Sequence, residues 1–218
     1  MRRSLFVILS VLIIGVLNAD AAILINEFLA DPPSINGDAN NDGTVSAAND
    51  EFIELINNSD IGYDLAGWQI SDSLRVRHIF PEGSFIGPRE FMVVFGGGAP
   101  VLPGLNYQTA STGTLSLNNT ADLITFSDRN GFVIDSVDYG ALAGNDQSLN
   151  RLIDGRLTEF VLHTSMNGAE GRRFSPGILA DGSKLPTNAA AVPEIPTLIS
   201  YLLGCTGLVV SSLFRNVS

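Results

Sequence analysis

The chain has 218 residues and carries 23 acidic against 12 basic side chains, for a net charge of −11. A surface of that sign repels phosphate backbones, which argues against nucleic acid as a partner. The single cysteine, Cys205, lies in an apolar C-terminal run, so no disulfide can staple the rest and the core must be large enough to hold alone.

In chain order, Arg2 and Arg3 precede an apolar run from Leu5 to Leu17 and the small-residue site Ala19-Asp20-Ala21. Basic flank, short apolar stretch and A-x-A site together predict a secretory signal peptide over residues 1–21, and its removal leaves the remainder more acidic still. From residue 22 to 178, short runs of β-branched and aromatic residues alternate with turn residues, which is how an antiparallel β-sandwich reads. Strands are expected at 23–29, 51–57, 68–71, 78–80, 91–95, 115–117, 123–127, 133–139 and 159–162. Asp128-Arg129-Asn130-Gly131 predicts a tight hairpin, with Asn130 and Gly131 supplying positive φ angles. Gly96-Gly97-Gly98-Ala99-Pro100 lacks the lysine and helix of a phosphate loop and reads as a flexible strand exit. Residues 179–191 are small, polar and Pro-bearing, a linker. Residues 192–218 hold an uncharged apolar stretch from Thr197 to Phe214, long enough to cross a bilayer as a helix, with Arg215 as the membrane stop.

Several phrases, in order, resemble the lamin-tail domain family in the form found on bacterial exported proteins. They are Ile25-Asn26-Glu27, the run from Asp50 to Asn57, Leu65-Ala66-Gly67-Trp68, His78-Ile79-Phe80-Pro81, Val93-Val94-Phe95-Gly96, Leu117-Asn118-Asn119, Leu149-Asn150-Arg151 and Ser175-Pro176-Gly177. The resemblance implies an all-β, immunoglobulin-like antiparallel sandwich without a catalytic constellation of its own, in which Trp68, Phe52, Phe80 and Phe95 are core aromatics. The tail resembles a second family, the PEP-type C-terminal sorting signals processed by exosortases: Val192-Pro193-Glu194, then the apolar span, then Arg215. It departs at Ile195, where that family has proline. The tail thus implies either an exosortase as transient partner or a permanent single-pass anchor.

The sharpest local signal for chemistry is Asp38-Ala39-Asn40-Asn41-Asp42-Gly43-Thr44-Val45-Ser46, with oxygen-bearing side chains at alternate positions and glycine where a calcium loop turns. Asp38, Asn40 and Asp42 would be side-chain ligands, Thr44 would offer its carbonyl, Val45 would tuck inward and Ser46 would hold a ligating water. This run resembles EF-hand and dockerin loops, yet Asn49 stands where a bidentate acid is expected. Either Asp50 swings in to complete an irregular Ca2+ site, or the loop's side chains cap its own backbone. His78 and His163 have no metal-spaced partner and read as hydrogen-bonded structural residues. Arg151, Arg156, Arg172 and Arg173 form a basic cluster that interleaved Asp146, Asp154, Glu159 and Glu170 are expected to neutralise.

Two functions remain open. The first is a non-catalytic, exported interaction or structural module at the cell surface or in the extracellular matrix, bound to another protein or a glycan and tethered by its tail. The second is a divergent secreted hydrolase or glycan-binding module, which needs Asp31, Asp38, Asp42 and Glu54 to converge in a carboxylate-lined cleft.

Overall fold

The computed structural model describes residues 23–152 and 159–186. The signal peptide, Arg156, the sorting motif Val192-Pro193-Glu194, the apolar span, Cys205 and Arg215 lie outside the described residues. Within these, no helix is long and apolar enough to cross a membrane. The chain divides into a unit ending at Leu185 and a second beginning at Pro186, and the first is described here.

Twelve strands build it: β1 (Ile23–Leu29), β2 (Phe52–Asn57), β3 (Tyr63–Asp64), β4 (Gln69–Ser71), β5 (Val76–Ile79), β6 (Phe85–Ile86), β7 (Phe91–Phe95), β8 (Tyr107–Thr109), β9 (Asp122–Ser127), β10 (Val133–Tyr139), β11 (Leu149–Arg151) and β12 (Phe160–Leu162). One sheet has the order β12-β11-β1-β2-β7-β8, a second β10-β9-β4-β5, and β3 pairs β6 in a short ribbon. Pairing is antiparallel except between β7 and β8. The expected all-β antiparallel sandwich is therefore what forms.

Between the two sheets lies the main core. Ile23, Ile25 and Phe28 of β1, Ile53 and Leu55 of β2, and Met92 and Val94 of β7 meet Ile70, Ile124, Phe126, Val137 and Tyr139. Phe52, Phe80 and Phe95 are buried, and Trp68 packs against the core with its ring 5.2 Å from that of Phe126. The larger sheet is also covered on its other face. Leu29, Phe52, Val93 and Phe95 pack with Ala39, Leu102, Tyr107 and Phe174, while Leu24, Ile56 and Phe91 pack with Leu179 and Leu185. A strand buried on both faces needs no polar alternation, which is why β7 reads Phe-Met-Val-Val-Phe. Leu179 and Leu185, within the stretch expected to be linker, belong to this outer cover.

Several expected elements differ in the structure. Residues 115–117 form no strand: Ser116 adopts φ 50°, and the backbone N–H groups of Ser116 and Leu117 serve the Glu51 carboxylate instead of a ladder. The β9–β10 hairpin is wider than a two-residue turn. Gly131 N–H donates to the Asp128 carbonyl, Asp128 N–H to that of Phe132, and Gly131 alone takes positive φ, so Asn130 supplies none. The strands β3, β6, β8 and β11 are two or three residues long, too short to carry a period.

The decisive local feature is a bulge in β1. Ile25 pairs with Leu55 and Glu27 with Glu54, leaving Asn26 as an extra residue. Strict alternation would put Ile23, Ile25 and Glu27 on one face. The bulge reverses the facing after Ile25, sending Phe28 into the core and Glu27 to the outer face. Deleting Asn26 would return Glu27 to the core side and expel Phe28. The deletion should abolish the cooperative thermal transition seen by circular dichroism, whereas Asn26→Ala, which keeps the bulge and loses one hydrogen bond, should cost only about 1–3 kcal/mol.

Candidate functional site

Two polar constructions occupy the outer side of the larger sheet. In the first, Asp38, Asn40, Asp42 and Asp50 fold onto one another between β1 and β2. Asp42 N–H donates to Asp38 Oδ1 at 3.0 Å and to Asn40 Oδ1 at 3.0 Å, and Gly43 N–H donates to Asp38 Oδ2 at 2.9 Å. Asp50 accepts from Asn40 N–H at 3.1 Å and from Ser46 N–H at 2.7 Å, so its carboxylate bonds the loop's own backbone as those of Asp38 and Asp42 do. Burial pushes its carboxyl up, those two N–H groups pull it down, and the charges of Asp38 and Asp42 push it up again. Asp38 and Asp42 thus lie within electrostatic reach of Asp50, although among the described residues no group of three or more acids, histidines or cysteines is placed to hold a metal ion.

The other ligand candidates are placed less simply. Thr44 N–H donates to Asp42 Oδ1 at 2.9 Å, and the Ser46 hydroxyl accepts from Asn49 N–H at 3.2 Å. Val45 is 43 % exposed rather than tucked inward, because the loop closes against a glycine run and not against a following helix. That run is Gly96-Gly97-Gly98. A Cβ on Gly96 would stand 1.9 Å from the Ala48 carbonyl oxygen, on Gly97 2.7 Å from Asn49 Oδ1, and on Gly98, at φ 77°, 2.4 Å from Asp42 Oδ2. The glycines are there for close approach. They are also pinned rather than flexible, by Asn40 Nδ2 to the Gly97 carbonyl at 3.2 Å, Ala99 N–H to Asp42 Oδ2 at 3.1 Å, and Gly97 N–H to the Asn49 carbonyl at 3.2 Å.

The second construction is a buried clasp. Glu27 and Glu54, placed opposite each other by the bulge, are both fully buried. Glu54 accepts from Asn26 Nδ2 at 2.8 Å and from Gly177 N–H at 2.6 Å. Glu27 accepts from the Ser148 hydroxyl at 2.6 Å, from Ser175 N–H at 2.9 Å and from the Ser175 hydroxyl at 2.8 Å. Asn150 Nδ2 and His163 Nδ1 complete the cluster, the latter 3.5 Å from Glu27. Burial and the neighbouring Glu27 carboxyl push Glu54 well above the ordinary carboxylate range. Ser148, His163 and Glu27 name the ingredients of a nucleophilic triad, yet all three are sealed from solvent, and the Ser148 hydroxyl bonds the acid directly at 2.6 Å, closer than its 3.3 Å contact with His163 Nδ1. Nothing can reach that hydroxyl to react with it.

Other sequence-selected groups disperse. Glu54 is committed to the clasp, Asp31 accepts from Asn119 Nδ2 at 2.7 Å, and Asp38 and Asp42 belong to the loop. His78, 2 % exposed, sits 3.0 Å from Gln108 Oε1, accepts from Ser111 N–H at 3.2 Å, and is pushed down to about 4 by burial. Of the basic cluster, Arg151 is buried, paired with Asp135 at 2.5 Å and stacked over Phe160 at 4.8 Å. Of its described members, Arg172 and Arg173 are exposed.

One acid escaped the sequence reading as a separate group. Glu51, 6 % exposed at the end of the main core, is pushed up to about 8, chiefly by burial and against the pull of the Ser116 and Leu117 N–H groups and Arg77. Its Oε2, Arg77 Nη1 and Tyr139 Oη are buried without hydrogen-bond partners among the described residues. The signal available was only an acid beginning a strand in an otherwise apolar phrase.

A two-sheet antiparallel sandwich with its functional loops at the strand ends is of the immunoglobulin-like class. The Lamin Tail Domain family matches residues 18–141. That is more than half of the chain, and the chain belongs to this family. No curated protein matches it. The matched stretch holds Asn26, Glu27 and Glu54, while their partners Ser148, Ser175 and Gly177 follow it.

Glu51 has its pKa raised in the folded state, so its contribution to stability is present below about pH 4.5 and is lost as pH rises towards about 8. Thermal melts across that window should show the native chain losing roughly 2–4 kcal/mol, and Glu51→Gln should flatten the decline. A parallel decline in the variant would mean that Glu51 is not the titrating group.

Proposed function

We propose that this chain is an exported surface module, an interaction or structural domain rather than an enzyme, whose Asp38 to Asp50 loop is ordered by calcium. The observation that carries this reading is the return of Asp50 to a loop already holding Asp38 and Asp42, with its carboxyl raised in part by their charges. A divalent cation relieves that repulsion, and oxygen donors from Asp38, Asn40, Asp42, Asp50 and the Thr44 carbonyl suit a hard ion. Ser46 would take part through water. The backbone N–H groups now bonded to these carboxylates leave lone pairs free, since each carboxylate offers about four acceptor sites. Extracellular calcium is abundant enough to fill weak sites of this type.

The rest of the proposal is delivery. Residues 1–21 direct export, and Val192-Pro193-Glu194 with the following apolar span and Arg215 form an anchor that an exosortase processes. The sealed Ser148–His163–Glu27 cluster favours binding over catalysis.

Millimolar calcium should raise the melting temperature of the purified chain by roughly 5–10 °C once it reaches a hundredfold excess over Kd. Asp38→Ala and Asp42→Ala should each remove the rise, and no rise in the parent chain would reduce the loop to backbone capping. In cells, the chain should partition with membranes or the surface, and truncation after residue 191 should release it to the medium. Retention inside the cell would overturn the exported reading.

A further inference from the structure

Next to the segment that carries Ser175 of the clasp lies a cavity of about 610 Å³, walled by Pro33, Ile35, Asp146, Arg172, Arg173 and Phe174. We propose that it is a binding site for a carboxylate-bearing sugar, such as a uronic acid unit of an acidic polysaccharide. The inference rests on reading the chain as a surface interaction module, and it names the ligand of that module.

Charge comes first. In a chain with only 12 basic residues, two consecutive arginines line one cavity. The Arg172 guanidinium makes no hydrogen bond or ion pair among the described residues; it lies against Gly182, and its charge helps hold the neighbouring Asp181 below the usual carboxylate range. Arg173 Nη1 lies 4.0 Å from Asp146 Oδ2 and donates a long 3.5 Å hydrogen bond to the Asp146 carbonyl, with both side chains more than half exposed. A pair that loose and wet contributes little, so an incoming carboxylate can displace it. Guanidinium forks match carboxylates in two-point geometry, which makes these side chains better suited to such a ligand than to a bare anion. The chain's overall negative charge does not forbid this, because at physiological salt its field decays within about 8 Å and the cavity's own cations dominate at contact.

Shape and surface then narrow the ligand. Phe174 is half-buried against the outer core, and Pro33 and Ile35 form the opposite lip, with Ile35 78 % exposed and isolated at the tip of its turn. An aromatic ring and an apolar lip suit the C–H-rich face of a sugar. None of the lining residues belongs to a strand or a helix, so the cavity offers an extended peptide no sheet edge to join and no groove to follow.

Both walls are fixed before any ligand arrives. Asn36 takes φ 58°, and a Cβ on Gly37 would stand 1.8 Å from the Pro33 carbonyl oxygen, so this turn closes as tightly as a backbone allows. Opposite, the Arg173 carbonyl accepts from Ser148 N–H at 2.8 Å, and the next residue but one, Ser175, is held by Glu27. The buried clasp therefore holds the backbone that presents the two guanidinium groups, which lowers the ordering cost of binding.

Calorimetric titration of the full chain in detergent with trigalacturonic acid should give saturable binding that weakens in high salt. Maltotriose, neutral and of similar size, should give none. Arg172→Gln/Arg173→Gln should weaken the acidic sugar at least about tenfold without moving the melting temperature. Ile35→Ser, which alters only the exposed lip, should weaken it a fewfold, and Arg129→Gln, in the β9–β10 turn, should bind like the parent. Absence of saturable binding, equal binding by the double variant, or equal binding of maltotriose overturns the proposal. So does tri-glutamate binding as tightly through the same arginines, which makes the cavity a peptide site. Each of these failures leaves the partition of the chain to membranes or surface unchanged, so the sugar can fail while the exported module stands.

Discussion

Two carboxylates facing each other on adjacent strands, with no solvent between them, set the terms for the rest of this domain. Glu27 and Glu54 are register partners on β1 and β2 and neither is exposed. Like charges opposite one another in a sheet are unfavourable even at a surface, and burial multiplies the cost. The structure meets it with donors: Asn26, Ser148, the Ser175 backbone and hydroxyl, and the Gly177 backbone all point at the pair. Most of these donors come from residues 148–177, more than ninety positions away in sequence from Glu54 for the closest of them. The acids therefore act as a receptor for the chain's own later segment, which completes the cover of the sheet's outer face.

From this constraint the differences between sequence and structure can be understood. Strands with a full period were legible: β1, β7 and β10 have the expected bounds, and β2 and β9 differ by one residue. Glu27 and Glu54 were visible as family phrases, as was Ser175-Pro176-Gly177, but nothing in the phrases says that they meet. The reason is the Asn26 bulge. An alternating pattern assigns faces only while the register holds, and a single extra residue reverses every assignment after it. Residues 115–117 failed for a related cause. Leu115 and Leu117 are both core residues, as alternation requires, but a buried Glu51 between the sheets takes the backbone N–H groups a strand would have given to a neighbour.

The candidate loop was legible in composition and not in closure. Alternate oxygen-bearing side chains and Gly43 could be read directly, whereas the recruitment of Asp50 past Asn49 depended on the turn at residues 46–50, closed by Asp50 N–H on the Ser46 carbonyl. The expectation that Val45 tucks inward was borrowed from loops flanked by helices. Here the surface that the loop covers is Gly96-Gly97-Gly98, and three glycines leave no pocket for a side chain to enter. What reads in sequence as a flexible exit from β7 is the flat floor on which the loop's carboxylates rest.

Both polar constructions end on the same two strands, and this gives the loop a reach beyond itself. Asp50 and Glu51 lead directly into β2, and the glycine run leads directly out of β7. Between them, Phe52 pairs with Phe95, their rings 5.9 Å apart in the outer core that also receives Phe174. Phe174 in turn stands between Arg173 and Ser175, the former facing the cavity and the latter bonded to Glu27. The loop, the clasp and Arg173 thus all adjoin one aromatic cluster. Packed cores respond to a shift as units rather than by continuous deformation. An ion at the loop, as proposed above, would therefore stabilise more than its own ligands, because the same end of the sheet carries the packing of Phe174 between Arg173 and Ser175.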